Sequence, residues 1–343
     1  MSELDDRKQV ILRAVVVEYV LTAEPIGSQA LTEKYPLGVK SATVRNELAE
    51  MSDLGLLEQP HTSAGRIPSD LGYRYYVDRL IERHEPGSNA VETVRDATHE
   101  GEALQAMLGD VTRALSRMTQ LLSVATTLRG TDVTLRHAVL TATGPTQGLL
   151  VAIFSNGHIE NRMLTVPPGL SLEDVGRVNE ALSKHVSGTT VSGLGRLKSA
   201  PGQWSPAIDE LLGTLWAALK DIGTDYARGQ LVMEGEEFLL AQPEFRRDFQ
   251  TLREVLDLLA DQEAIYQAVS ETTDDSATVK IGRENRIEPM RSLSMVRRTF
   301  FAGETPAGTI ALIGPTRMAY DSGITLVSLT AQAISDALAR FAR

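Results

Sequence analysis

The sequence predicts an α+β multidomain protein: an N-terminal winged helix-turn-helix, then an α+β domain interrupted by a mainly helical insertion. Three observations lead there. Residues 7–54 carry three helical segments with apolar faces, and a short strand–loop–strand follows them directly. Residues 133–166 change to strand-like apolar runs broken by turns. Helical spacing takes over at 171–271 before strands return at 277–281, 293–301 and 309–313. A chain of 343 residues has room for two or three domains at ~150 residues each.

Taken in order, residues 7–21 form a dense apolar run that Pro25 closes soon after. Ser28 is a plausible N-cap for a short second helix, which Pro36-Leu37-Gly38 breaks. Ser41 is the next plausible N-cap; Val44, Leu48, Met51 and Leu54 then recur at helical spacing, with Gly55 at the position that ends a helix. Residues 56–59 read as a strand, 60–65 as a turn-rich loop and 66–68 as the returning strand. Ser69 caps a helix that buries Tyr73, Tyr76, Val77, Leu80 and Ile81. After a Pro-Gly-Ser-Asn stretch, Leu104, Leu108, Val111, Leu115, Met118, Leu122 and Ala125 form a heptad-like seam on one helix spanning 102–129. Turns at Gly144-Pro145 and Asn156-Gly157 separate the strands of 133–166, and a final helix carries Val327, Ala331, Ile334, Leu338 and Phe341. The divisions are 1–84 for the winged helix, 85–101 for a linker, 102–168 with 275–343 for the interrupted domain, and 169–274 for the insertion.

Composition narrows the function. Cysteine is absent, which excludes a disulfide scaffold and Cys-ligated zinc or iron–sulfur sites. The opening residues are acidic, the wrong chemistry for a secretory signal, and apolar runs such as 149–154 are far short of a membrane span; a soluble, cytoplasmic chain is expected. Net charge is −11, and residues 1–84 alone carry −3, so a nucleic-acid surface has to be a local cluster. The six histidines show no metal-ligand spacing, Gly193-Leu194-Gly195 lacks the third glycine of a dinucleotide fingerprint, and no defensible nucleophile–base pair exists. Neither an enzyme nor a cofactor is expected.

The third helix carries the best candidate site. On a wheel, Val44, Leu48, Met51 and Leu54 point inward while Ala42, Arg45, Asn46 and Ala49 point outward. Small alanines allow close approach to a major groove, Asn46 suits an adenine edge, and Arg45 suits a guanine edge or a phosphate. Ser41 and Thr43 sit at the helix N-terminus, where phosphates are held. In the hairpin loop, Thr62, Ser63 and Arg66 suit backbone or minor-groove contacts, with His61 adding charge at low pH. The alternative is a three-helix module that binds protein, with the arginines merely solvated. Two half-sites require a fixed pair of winged helices, so the insertion at 171–271 and the seam at 104–125 are candidate dimer surfaces.

Residues 41–76, from Ser41-Ala42-Thr43-Val44-Arg45-Asn46-Glu47-Leu48 through Pro60-His61-Thr62-Ser63-Ala64-Gly65-Arg66-Ile67-Pro68 to Gly72-Tyr73-Arg74-Tyr75-Tyr76, resemble the HrcA-type heat-inducible transcription repressor family. Val279-Lys280-Ile281-Gly282-Arg283-Glu284-Asn285 and Gly308-Thr309-Ile310-Ala311-Leu312-Ile313-Gly314-Pro315-Thr316-Arg317-Met318 agree with it. The resemblance implies a winged-helix DNA-binding domain, a GAF-like domain and an inserted dimerisation domain. It further implies a homodimer on an inverted-repeat operator, called CIRCE, that represses chaperone operons, with the GroE chaperonin as partner. Arg283 departs from the family pattern, where an acidic or small residue is expected, which leaves the role of its loop open. The rival reading is a small-molecule sensor whose GAF-like pocket controls DNA or protein binding.

Overall fold

Local capping rules account for most of the N-terminal unit. The computed structural model describes residues 4–341 except 62–63, 83, 99–103, 128–132, 156–157, 198–203 and 271–275. Asp5 accepts a hydrogen bond from the Lys8 amide (2.8 Å) to start α1 (Asp6–Thr22). Helices α2 (Ser28–Lys34) and α3 (Ser41–Asp53) follow, and here the caps differ from expectation: Gly27 and Lys40 occupy them, with each serine as the first helical residue. Gly55 adopts φ +75°, and the Leu56 amide donates to the Met51 carbonyl (2.9 Å) while Gly55 donates to Ser52 (2.9 Å). The chain then forms a two-stranded antiparallel hairpin, β1 (Leu57–Glu58) with β2 (Ile67–Pro68). Ser69 caps α4 (Asp70–Tyr75) by accepting from Gly72, and a wider π-turn over Tyr76–Leu80 extends that helix.

Two helices, α5 (Ser88–Ala97) and α6 (Leu104–Thr119), lead into β3 (Leu122–Thr127). Part of the expected linker at 85–101 is therefore helical. The single helix expected over 102–129 is likewise divided: Gln120, at φ +55°, turns the chain between α6 and β3. Leu104, Met107, Leu108, Val111 and Leu115 are all buried within the chain itself, which removes this seam as a dimer surface.

Strands β4 (Leu135–Gly144), β5 (Gln147–Phe154) and β6 (Ile159–Thr165) make a separate antiparallel meander. One face packs on α7 (Leu172–Val186), α8 (Val191–Leu194) and α9 (Pro206–Arg228) around Leu140, Leu150, Phe154, Leu182, Leu215 and Trp216. The expected Asn156-Gly157 turn lies outside the described residues. The chain then returns through β7 (Leu231–Glu234), which pairs antiparallel with β3. Both ends of the excursion meet where the Thr127 amide donates to the Gln230 carbonyl (3.1 Å) and the Gln230 amide donates to Thr127 Oγ1 (2.9 Å). The chain therefore leaves the main sheet after Thr127 and rejoins it at Leu231, and the strands of 135–165, expected with the interrupted domain, pair with one another and not with the main sheet.

The main sheet is five-stranded and antiparallel, in the order β7-β3-β10-β9-β8, with β8 (Thr278–Ile281), β9 (Leu293–Ala302) and β10 (Thr305–Pro315). Helices α10 (Glu236–Leu240), α11 (Pro243–Arg247), α12 (Phe249–Ala260) and α13 (Gln262–Ser270) cover the face bearing Leu122, Val124, Met295 and Ala311. On the opposite face, α6 and α14 (Tyr320–Phe341) pack on Val296, Phe300, Ile310 and Leu312. That second core continues without a break into the N-terminal unit through Tyr73, whose ring lies 5.6 Å from that of Tyr320. The molecule is α+β, as expected. Among the described residues no helix is long and apolar enough to cross a membrane.

Candidate nucleic-acid interface

Helix α3 is anchored by one face and one buried carboxylate. Val44, Leu48 and Met51 are buried, while Leu54, expected inward, is the exposed C-cap residue. Glu47 is buried between the N-terminal residues of α1: Arg7 pairs with its Oε1, and Lys8 Nζ lies 3.1 Å from its Oε2. Lys8 also bridges Asp5 (2.8 Å) and Glu50 (3.1 Å), and these hydrogen bonds raise its pKa, that to Asp5 the most. A second pin, the buried Glu18 of α1, accepts from Lys34 (2.7 Å) and from the Tyr35 hydroxyl (2.6 Å). Lys34, then Tyr35, lowers the Glu18 pKa; burial first and Glu18 second push the Tyr35 hydroxyl up to about 12. Sequence reasoning passed over both glutamates because their partners lie 16 to 40 residues away.

With those pins in place, Ala42, Arg45, Asn46 and Ala49 are exposed, as the helical wheel requires. The side chains of Arg45 and Asn46 make no hydrogen bond among the described residues, so their polar groups are available to a ligand. Thr43 is half-buried, and Ser41 is committed inward: its Oγ lies 2.9 Å from Ser28 Oγ, tying the start of α3 to the start of α2. Lys40 is exposed at the α3 cap and adds a cation there that sequence reasoning did not single out. The Lys40 side chain does not cap α3, and among the described residues no side chain accepts from its leading amides.

The hairpin is joined to this corner. Ile26 and Arg66 exchange both backbone hydrogen bonds (2.9 and 2.8 Å), extending the returning strand onto the residue before the α2 cap. Gly65 permits that approach, since a Cβ there would lie 2.7 Å from the Ile26 nitrogen and nearer still to its carbonyl. Arg66 is half-buried, and its Nε is enclosed without a hydrogen-bond partner among the described residues. His61 is exposed at the loop, whereas Thr62 and Ser63 lie outside the described residues. The Arg66–Ile26 backbone bridge and the Ser28–Ser41 hydroxyl contact thus tie the returning strand and the start of α2 to the start of α3, the half of the helix that carries Lys40, Arg45 and Asn46. The acids Glu50 and Asp53 sit at its far end.

Comparison with known proteins bears on the whole chain. Residues 105–324 match the family model described as HrcA protein C-terminal domain. A heat-inducible transcription repressor HrcA of Moorella thermoacetica is 36% identical over 343 residues, covering 99% of each chain. The repressor of the same name from Desulforamulus reducens is 33% identical over 98% of each. The chain belongs to the HrcA family. A crystal structure of a hypothetical protein shares the fold, with a TM-score of 0.75 at 22% identity, over 99% of this chain and 100% of that one.

Within the stretch 279–285, Arg283 is the position where the sequence reading expects an acidic or small residue. That position contributes its backbone amide, which donates to Asp70 Oδ2 (2.9 Å), and its side chain is exposed. Any residue except proline could make that backbone contact, so the contact does not depend on the side chain at 283. Arg317, in the second distant HrcA-like stretch, donates to the Val20 carbonyl in the last turn of α1 (3.0 Å) and is steadied by Gln242 (2.9 Å) and Glu244.

Proposed function

We propose that this chain is a dimeric repressor of chaperone operons, that residues 1–84 form a winged helix, and that its third helix reads an inverted-repeat, CIRCE-type operator. The observation that carries the reading is the α3 surface: an unpaired arginine and asparagine flanked by two alanines, on a helix whose other face is core. The names of the full-length relatives, heat-inducible transcription repressors, support it. In this reading Asn46 and Arg45 contact base edges; Lys40, Thr43 and the first amides of α3 contact phosphate. Arg66, His61, Thr62 and Ser63 follow the backbone or the minor groove. Ala42 allows the approach, and Ser41 orients the helix. The five-stranded sheet is the GAF-like domain, and the GroE chaperonin maintains the folded, binding-competent state against heat.

The second copy docks on the bare face of the meander. An antiparallel sheet with one solvated face ordinarily alternates apolar and polar residues. Here Val139, Leu149, Val151, Ile153 and Met163 sit on the face turned away from α7–α9, with Val139 opposite Val151 and Leu149 opposite Met163. Such a stripe marks a partner surface.

A mobility-shift titration on an inverted-repeat duplex, with and without chaperonin, tests the reading. Asn46→Ala is expected to cost ~1–3 kcal/mol and to relax selectivity at one base position in each half-site. Unchanged affinity and selectivity in the folded variant would remove Asn46 from base readout. Val151→Glu is expected to yield monomers in sedimentation that have lost the preference for two half-sites over one.

A further inference from the structure

The N-terminal unit meets the sheet domain through an apolar contact, through the Arg317 hydrogen bond to the Val20 carbonyl, and through a more extensive hydrogen-bonded latch; the apolar contact and the latch do different work. Apolar burial around Tyr73 and Tyr320 holds the surfaces together, but it is non-directional and tolerates sliding. The latch is directional. Asp70, the first residue of α4, projects its carboxylate over Gly282, where a Cβ would lie 2.5 Å from the Asp70 Cγ; Gly282 has φ +49°. The Arg283 amide closes the contact on Asp70. One turn further along α4, Arg74 donates Nε to Glu284 Oε1 (2.8 Å) and Nη2 to the Val279 carbonyl (2.7 Å), and pairs with Glu284 Oε2. Behind the loop, Asn285 is almost wholly buried. Its Nδ2 faces the carbonyls of Gly282 (3.0 Å), Met290 (3.1 Å) and Leu293 (3.0 Å), fixing the loop to the sheet domain.

We propose that this latch, Asp70 and Arg74 on the 281–284 loop with Asn285 as positioning residue behind it, sets the angle of the DNA-facing unit and so the half-site spacing that a pair of chains accepts. The inference rests on the DNA-binding, dimeric reading above. When one half-site is bound, engaging the second is an intramolecular step, and its effective concentration depends on how narrowly the second unit is held. A loosened latch leaves each half-site contact intact and spreads the orientation of its neighbour.

Gly282→Ala and Arg74→Ala cut the latch from opposite sides without touching α3, and Glu284→Gln serves as the milder variant should either fail to fold. Duplexes carrying a single half-site, the inverted repeat, and repeats with altered spacers report on binding. The absence of cysteine lets spin labels be placed at Glu50→Cys and Glu304→Cys, on the exposed surfaces of the two units, in full-length protein diluted with unlabelled chains. The expected result is single half-site affinity within about twofold of the parent, inverted-repeat affinity down roughly tenfold, and a flattened or displaced spacer optimum. The label-to-label distance distribution broadens or shifts in parallel. A folded variant with an unchanged distribution and the parental spacer optimum overturns the proposal. So does an equal loss on single half-site and repeat, which would make the latch a general support of the unit's fold. A parent protein that ignores every duplex would refute the DNA reading itself, while the spin-label distances still decide whether the latch fixes the angle.

Discussion

Three threonines in the main sheet give a sharp test of where this protein loses stability. Thr126 of β3, Thr309 of β10 and Thr299 of β9 are direct cross-strand neighbours in one row, on the face covered by α10–α13. All three are buried, and none of their hydroxyls has a hydrogen-bond partner among the described residues. An enclosed, unpaired hydroxyl costs ~1–3 kcal/mol relative to one that keeps its water. Thr309→Val replaces the central hydroxyl by a methyl of similar shape on a β-branched frame that suits a strand, so the expected gain is ~1–2 kcal/mol. At ~2–4 °C per kcal/mol for a domain of a few hundred residues, Tm rises by ~2–8 °C. Calorimetry at matched protein concentration reads the shift, because the proposed dimerisation would couple Tm to concentration. Operator occupancy after a heat step then tests whether the stabilised variant stays bound longer. A fall in Tm would refute the reasoning, since it would mean the hydroxyls form a hydrogen-bonded ladder. The double variant Thr126→Val/Thr309→Val separates the two cases: independent unpaired groups give near-additive gains, a ladder gives a large coupling.

Arg66→Ala should weaken binding to all duplexes alike and reduce the slope of log affinity against log salt by about one, read by titration between low and moderate salt; an unchanged slope removes the hairpin from the phosphate contacts. Gly65→Ala forces a Cβ into the Ile26 backbone, which cannot yield as a flexible side chain would, so the Ile26–Arg66 bridge should open. Hydrogen exchange at the Ile26 and Arg66 amides is the measurement, and protection equal to the parent would contradict it. Glu18 has a lowered pKa in the folded state, so its contribution to stability is present above the usual carboxylate value and is lost as pH falls through the folded one. Glu18→Gln should therefore flatten the acid limb of a Tm-against-pH curve below about pH 4.5, and a limb as steep as the parent's would assign that loss of stability to other groups.

Where order is local, the sequence carried it. The Val44–Leu48–Met51 spacing located α3, Gly55 ended it through two backbone hydrogen bonds, and Ser69 capped the next helix. The α6–β3 boundary was hidden for a physical reason. All six residues of β3 are buried, so the strand shows no alternation, and Leu122 and Ala125 happen to prolong the helical spacing of Leu108, Val111 and Leu115. Strand β7 is four residues long in a helical neighbourhood, and its partner β3 lies about a hundred residues earlier. No local pattern encodes that pairing, and with it went the point where the chain rejoins the main sheet.

The interface divides along the same line. Which residues of α3 face outward is a property of one helix, and the wheel supplied it. What each outward residue is free to do depends on distant neighbours: Ser41 is held by a serine thirteen positions earlier, and the acids Glu18 and Glu47 are consumed in pinning helices together. This resolves the objection raised by the net charge. Glu47, a carboxylate of α3 itself, is turned inward and matched by Arg7 and Lys8, and Glu50 is shared with Lys8. Lys40 and Arg45 remain in the opposite half of the helix, and Arg66 lies on the hairpin strand bridged to Ile26. Counterion release depends on the cations that reach phosphate and not on the sum over the chain. An acidic protein can therefore present a cationic edge, provided its acids are spent inside. Replacing Glu47 by Gln should then disturb how α3 is held more than it gains in charge, and operator affinity should fall although the net charge becomes less negative. A rise in affinity, measured by the same titration, would show that bulk charge governs binding after all.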